Sequence, residues 1–260
     1  MWQTDRITSW SQFQAIIESM NLFHESKPTL FFRGQANADW ALTPSLTRLI
    51  SNGIPGVDKS LGIEFGAFRR FRESYKIFSD EDPGENEHVA WWVLMQHYSC
   101  PTRLLDWSLS PYVATYFAVC DLQETDAALW CLSANHLEKR TEERYGSMSR
   151  DNQKFWDAKD GMAVYPFFPT KHSVRSHIQQ GVFTISSNLK TIHSEGIAEA
   201  FPDDSDCLPV KFSIDSTLKL EFMARLHSMN ISAASLFPGI DGLGRTIRDH
   251  VVRRTRGFNH

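Results

Sequence analysis

The sequence predicts an α+β protein with a central mixed or antiparallel sheet flanked by helices. Apolar residues at helical spacing occur early and late in the chain, whereas short apolar runs typical of strands cluster between them. The pattern lacks the regular strand-helix alternation that builds a doubly wound parallel sheet. With 42% hydrophobic residues in 260, the chain has enough apolar surface for one core. We therefore expect a single domain over residues 1–260.

The early elements lead to an arginine at the end of a strand. Helical periodicity predicts a first helix over Ser11–Leu22, and the aromatic run Thr29–Phe32 predicts a buried strand that stops at Arg33-Gly34. Aromatic residues on one face predict a helix over Glu64–Phe78, opened by its glutamate. A further helix over His88–Gln96 is apolar nearly all round, so we expect it to be central.

The later elements begin at Ser110-Pro111, which has the chemistry of a helix start, and this helix is expected to run to about Cys120. The polar, charged segment Glu138–Asp160 is predicted to be a mobile insertion. The remaining predicted elements are strands at Ala127–Leu132, Ala163–Phe168, Val182–Ser186 and Leu208–Ile214, and helices at Ser216–Ser228 and Asp241–Arg253.

Charge and composition exclude several classes of function. A net charge of -4 and a pI near 6.2 give no basic field for general nucleic-acid binding. The four cysteines are far apart and form no C-x-x-C pair, so we expect reduced thiols and no metal site. The longest apolar run is much shorter than the roughly 20 residues that span a bilayer. The sequence therefore predicts a soluble, cytoplasmic protein without membrane association.

The segment Gln96–Ser108 concentrates groups that donate, accept or titrate between two apolar helices. Buried polar groups must be hydrogen-bonded, so these residues either satisfy one another or contact a ligand. Arg103 and Asp106 have two open interpretations: an internal ion pair that holds a loop, or direct ligand contact. His97 either caps a helix end or serves as a general base or ligand donor.

Arg33 is the other candidate, because it directly follows the apolar run Leu30–Phe32 and the adjacent Gly34 permits close approach of backbone or ligand. A guanidinium suits a phosphate or carboxylate. The alternative is a salt bridge to Glu64 or Asp106.

These residues belong to a set of ordered motifs that resembles the FRG domain, a family named for its Phe-Arg-Gly sequence and found mainly in bacteria and their phages. The resemblance covers Leu30–Leu243, which we take as the core motifs, and the chain departs from the usual pattern at Ser99, where glycine is common, and at Ser108, where threonine is common. The motifs are Phe32-Arg33-Gly34-Gln35 with Trp40, Leu42, Pro44, Ser45 and Arg48 downstream, Gln96-His97-Tyr98, Pro101 to Trp107, Ser110-Pro111, Ala114 to Ala118, Arg175 with Gln179 to Phe183, and Leu236 to Leu243.

The family is best described as functionally uncharacterised, so the resemblance implies a site more than a reaction. The order of the Arg and Ser motifs is similar to that of ADP-ribosyltransferases, which implies NAD as a possible cofactor, with Arg33 at its diphosphate and Ser108 or Ser110 at its nicotinamide side. The predicted catalytic residues are His97, Ser108 and Gln180. Gln180 would stand where those enzymes carry a glutamate, and Glu195, Glu199 or Glu221 would have to replace it in space. The ligand-binding residues would be Arg33, Gly34, Gln35, Arg103 and Asp106, supported by Glu64 and Arg175.

Two other functions remain open at this point. One is a non-catalytic module that binds a nucleotide or another phosphate-bearing small molecule. The other is a protein-protein adaptor, which would be favoured if Trp91 and Trp92 formed an exposed aromatic surface. The sequence names no protein target.

Overall fold

The computed structural model describes residues 1–20, 29–51, 57–79, 83–84, 87–121, 124–148, 161–170, 173–202 and 207–255. Its centre is a seven-stranded sheet with the strand order β1-β7-β4-β2-β3-β6-β5. The strands are β1 Gln3–Ile7, β2 Leu30–Gln35, β3 Leu104–Ser108, β4 Ala127–Ser133, β5 Val164–Phe167, β6 Gly181–Ser186 and β7 Val210–Ile214. β1 and β7 are parallel and the other neighbours are antiparallel, so the predicted mixed sheet is confirmed.

Helices cover both faces of this sheet. They are α1 Trp10–Ser19, α2 Ser45–Ser51, α3 Val57–Tyr75, α4 His88–His97, α5 Pro111–Val119, α6 Ala134–Tyr145, α7 Val174–Ile178, α8 His193–Ala200, α9 Lys219–Ser228, α10 Ala233–Leu236 and α11 Ile240–Thr255, with a 3₁₀ turn at Ser216–Leu218. On one face, α1, α5 and α9 pack over β4 and β7, while α3 and α4 pack over β5 and β6. On the other face, α6 and α8 cover the aromatic core around Trp107 and Trp130.

Several predicted boundaries were wrong. β2 continues through Arg33 and Gly34 to Gln35 instead of stopping at Arg33. The helix expected to open at Glu64 begins at Val57. The segment expected as a mobile insertion starts inside α6, whose last residue is Tyr145; residues 149–160 lie outside the described residues. β1 was not predicted, because its exposed alternating residues carry little apolar signal.

No helix in the described ranges has both the length and the apolar character needed to cross a membrane.

Candidate functional site

The candidate site lies where β2 and β3, two neighbouring strands in the middle of the sheet, separate. β3 pairs with β6 along its whole length, but its described pairing with β2 is between Phe32 and Ser108. A cavity of about 1120 Å³ opens beside this pair and is lined by β2, β3 and the start of α5. We call it the basic cavity, because the side chains of Arg33, Arg48, Arg175, Arg245 and Arg248 line it.

Gly34 brings α5 against the sheet beside this cavity. A Cβ atom on Gly34 would lie 1.9 Å from the carbonyl oxygen of Ala114 and 2.5 Å from the amide nitrogen of Ala118. The helix backbone therefore occupies the space that any larger residue would need. The close approach predicted for Gly34 is real, and the partner is the backbone of α5.

Arg33 leaves β2 on the face opposite Phe32 and Gly34, since successive side chains alternate along a strand. Its Nη1 donates to the backbone carbonyl of Asp106, at 2.6 Å, while its Nε is buried and has no hydrogen-bond partner among the residues that the structure describes. Burial lowers the pKa of the Arg33 guanidinium, Asp106 opposes this shift, and the nearby positive charge of Arg48 adds to it. Arg33 is thus held at the cavity with donor capacity that the described residues do not use fully.

The other arginines of the basic cavity come from three helices: Arg48 from α2, Arg175 from α7, and Arg245 and Arg248 from α11. The guanidinium groups of Arg175 and Arg245 both lie over the ring of Phe237, at 4.5 and 4.4 Å from its centroid. Burial lowers the pKa of Arg175, Asp106 opposes this shift, and Arg245 contributes a further lowering. The cavity therefore holds two close pairs of like charges, Arg33 with Arg48 and Arg175 with Arg245.

Aspartates offset this positive charge only in part. Asp39, Asp106 and Asp121 line the same cavity, and Arg248 already pairs with Asp121 at 3.2 Å. Five arginines against three aspartates leave an excess of two positive charges among the lining side chains. The arrangement suits an anion with several acceptor oxygens.

The predicted ion pair between Arg103 and Asp106 is wrong. Arg103 is buried and forms a two-point ion pair with Glu64, with its Nε 2.8 Å from Oε1 and its Nη2 bonded to Oε2. Its Nη1 donates to the carbonyls of Ser186 and Ser187, and its guanidinium lies 4.8 Å from the ring centroid of Trp92. Arg103 therefore fastens α3 to β6 and does not line either described cavity.

Asp106 is instead an exposed carboxylate at the edge of the basic cavity. Its Oδ2 accepts from Gln96 Nε2 at 2.7 Å, and Gln96 Oε1 accepts in turn from Thr102 Oγ1. The side chains of Gln96 and Asp106 also line a second cavity of about 660 Å³. We call this the apolar cavity, because α4 contributes Ala90, Val93 and Leu94 to one wall and Phe167 and Phe183 lie among its other lining residues.

His97 lines the apolar cavity at the end of α4, where its Nδ1 is 3.2 Å from Ser173 Oγ. Partial burial lowers the pKa of His97, and the positive charge of Arg175 lowers it further. The ring is therefore neutral at pH 7, so it can accept a proton or a hydrogen bond.

Ser108 and Gln180 differ in their relation to the cavities. Ser108 lines the basic cavity, where its Oγ donates to the carbonyl of Gln179 at 2.8 Å and accepts from the amide of Ser110. Gln180 is exposed, has a φ of 49°, and is not among the described residues that line either cavity. Its neighbour Gln179 lines both cavities.

The glutamates considered as replacements are also elsewhere. Glu199 pairs with Arg144, Glu221 pairs with Arg225, and Glu195 is exposed on α8; none of them lines either described cavity.

The FRG domain family matches residues 28–127 of the chain. This chain contains an FRG domain. No curated protein and no solved structure matches it. The matched segment spans β2 to the start of β4 and supplies Arg33, Arg48, Gln96 and Asp106 to the two cavities.

The FRG domain segment does not complete the cavities by itself. Arg175 and Gln179 follow from α7, and Phe237, Arg245 and Arg248 come from the C-terminal elements. Sequence reasoning assigned no role to Arg48, Arg245 or Arg248. Their signal was weak, because Arg245 and Arg248 are one helical turn apart on a charged helix, a pattern that usually marks a solvated face.

Ser99 explains one departure from the usual FRG sequence. It follows α4 with a φ of 63°, in the left-handed region that favours glycine. The position where the resemblance predicts glycine thus has the backbone conformation that glycine adopts most easily.

Proposed function

We propose that this FRG-domain protein binds a phosphate-bearing, nucleotide-type anion in the basic cavity. The observation that carries the proposal is Arg33, whose buried Nε has no hydrogen-bond partner within the described part of the chain and which lies in a cavity lined by four more arginines. A buried donor without a partner costs about 1–3 kcal/mol, and more when it is charged. An anion that accepts from Arg33 removes this cost.

The like-charged pairs support the same proposal. The positive charge of Arg48 lowers the pKa of Arg33, and that of Arg245 lowers the pKa of Arg175; a bound anion would be attracted to all four guanidinium groups and would offset this repulsion. Guanidinium groups bind phosphate oxygens at two points, which a single lysine cannot do. A phosphate group is therefore the anion that best fits this set of donors.

Calorimetric titration with inorganic pyrophosphate and with ADP tests the proposal. Arg33→Met keeps an apolar side chain and removes the charge. We expect it to lower the affinity for pyrophosphate and for ADP about ten- to hundredfold, since a charge-assisted hydrogen bond contributes about 1.5–3 kcal/mol. Arg69→Met is the matched control, because Arg69 is an exposed residue of α3 outside both cavities. Equal affinity in the wild type and Arg33→Met would refute the proposal.

ADP-ribosyl transfer from NAD is the second candidate function, and Asp106 is the observation that favours it. This carboxylate lies at the boundary of the two cavities, where it can orient a ribose hydroxyl and stabilise positive charge as the bond to nicotinamide breaks. It takes the role first considered for Gln180. Incubation with NAD labelled in its ADP-ribosyl part tests this candidate: release of nicotinamide together with transfer of the label to an acceptor protein, both lost in Asp106→Asn, supports ADP-ribosyl transfer. Release without label transfer indicates hydrolysis of NAD by water, and intact NAD indicates a binding module.

A protein-protein adaptor would have been favoured by an exposed aromatic surface at Trp91 and Trp92, and the structure does not have one there. Trp91 is 0% and Trp92 is 5% exposed, so neither offers an aromatic surface to a partner.

A further inference from the structure

Helix α4 carries apolar side chains on two faces. Trp91, Trp92 and Met95 are buried on the core side. Ala90, Val93 and Leu94 on the other side are only partly buried: Val93 and Leu94 also touch the core cluster, and all three line the apolar cavity. A surface helix ordinarily carries polar residues on the face away from the core. The second face of α4 is therefore suited to an apolar group that is not part of the described protein.

The rest of the apolar cavity has the properties of a site for a flat ring. Phe167, Phe183 and Trp107 line it together with α4, and its volume of about 660 Å³ lies in the range typical of small-molecule sites. Such sites are mainly apolar with a few polar groups that fix orientation. Here the neutral ring of His97 and the hydroxyl of Ser173 supply polar groups.

The two cavities adjoin through shared residues. Gln96, Asp106, Trp107, Arg175 and Gln179 line both of them. Asp106 keeps acceptor capacity beyond the bond from Gln96, because a carboxylate has about four lone-pair sites. Sugar hydroxyls are donors that match this acceptor.

We infer that the ligand is a nucleoside phosphate that spans both cavities, with its phosphates among the arginines, its ribose beside Asp106 and its base against α4. This inference rests on the proposed function, since it requires the phosphates to occupy the basic cavity. It adds that contacts between the base and α4 in the apolar cavity contribute to the affinity. The base, sugar and phosphates thus meet apolar, acceptor and cationic surfaces in that order.

The inference is tested by comparing four nucleoside diphosphates, ADP, GDP, CDP and UDP, with inorganic pyrophosphate in calorimetric titrations of the full chain. We expect at least one nucleoside diphosphate to bind tenfold or more tightly than pyrophosphate. Ala90→Trp fills the apolar cavity and should reduce that affinity to the level of pyrophosphate, while pyrophosphate binding stays unchanged and reports that the protein is folded. Ala90→Phe is a milder version for the case that Ala90→Trp does not fold.

Ile77→Trp is the control, because Ile77 is 78% exposed and outside both cavities, so it should leave all affinities as they are. Pyrophosphate binding with no gain from any base would overturn the inference and leave the proposed function intact. The inference would also be overturned, and the proposed function left intact, if Ala90→Trp and Ala90→Phe bind the nucleotides as tightly as the wild type does. Loss of all binding, pyrophosphate included, in the wild type would overturn the proposed function itself.

Discussion

Gly34 of β2 lies directly beneath Ala114 of α5, so close that a Cβ atom on Gly34 would be 1.9 Å from the Ala114 carbonyl oxygen. The glycine of the Phe-Arg-Gly motif thus sets the distance between the helix and the sheet. Phe32 and Arg33 then point to opposite faces, one into the core and one to the basic cavity.

Gly34→Ala is expected to destabilise the protein by about 1–3 kcal/mol or more, because backbone atoms cannot move aside as a flexible side chain can. Urea unfolding measures the change. Gly62→Ala is the matched control: Gly62 is an exposed position inside α3 with open space around it, so alanine there should stabilise by about 0.5–1 kcal/mol. Similar stabilities for the two variants would contradict this account of the motif.

Glu64→Gln should cost about 3–5 kcal/mol, because it leaves the buried guanidinium of Arg103 without its counter-charge. Asp106→Asn should cost less than about 1 kcal/mol, since Asp106 is exposed and its partner is a neutral glutamine. Chemical denaturation of both variants compares the two positions. A large loss in Asp106→Asn would argue that the exposed carboxylate has a structural role.

His193 makes the stability depend on pH. It is fully buried, and burial together with Arg33 lowers its pKa from 6.5 to about 3. Because the folded pKa lies below the unfolded one, only the unfolded chain takes up this proton as the pH falls through about 6.5, and stability is lost down to about pH 3. The loss at pH 5 is about 2 kcal/mol.

His193→Gln should remove this part of the difference in unfolding free energy between pH 7 and pH 5. His250→Gln serves as the control, because His250 is exposed on α11. An unchanged pH dependence in His193→Gln would show that the proton uptake occurs elsewhere.

Ser99→Gly should stabilise the protein by about 1 kcal/mol, since a residue with a side chain pays about that amount for the left-handed conformation. Ser19→Gly provides the opposite case: Ser19 is helical, so glycine there should lower the melting temperature. If both changes lower the melting temperature, the conformation of Ser99 is not the source of strain.

The sequence predicted the elements whose apolar pattern is undisturbed. The strand before Arg33 and the helix after Ser110-Pro111 follow from local chemistry, and Ser110 does accept from the amide of Val113. β2 was predicted too short because Gly34 was read as a turn, whereas it remains in the strand and pairs with Leu129. Glycine is required at position 34 because of contact with Ala114, 80 residues later in the sequence. A pattern of neighbouring residues cannot reveal such a long-range contact.

The side-chain pairings around the candidate site were not predicted correctly. Arg103 and Asp106 are close in sequence, which suggested an ion pair, but residues three apart along an extended segment point to opposite faces. Recognising Leu104–Ser108 as a strand would have excluded that pair. The ion pair of Arg103 with Glu64 depends on how α3 packs against the sheet. The position of the α11 arginines at the cavity depends on where the last helix lies, and hydrophobic periodicity predicts neither.

The separation of β2 from β3 divides the sheet into two blocks that a bound ligand could connect. Strands β1, β7, β4 and β2 form one block of the sheet and β3, β6 and β5 form another, and Arg33 reaches from the first block to the backbone of the second. An anion held by Arg33 on one side and Arg175 on the other would connect the two blocks. Ligand binding in the basic cavity should then slow amide hydrogen exchange in both blocks of strands. Exchange rates across the whole sheet would therefore report on ligand binding.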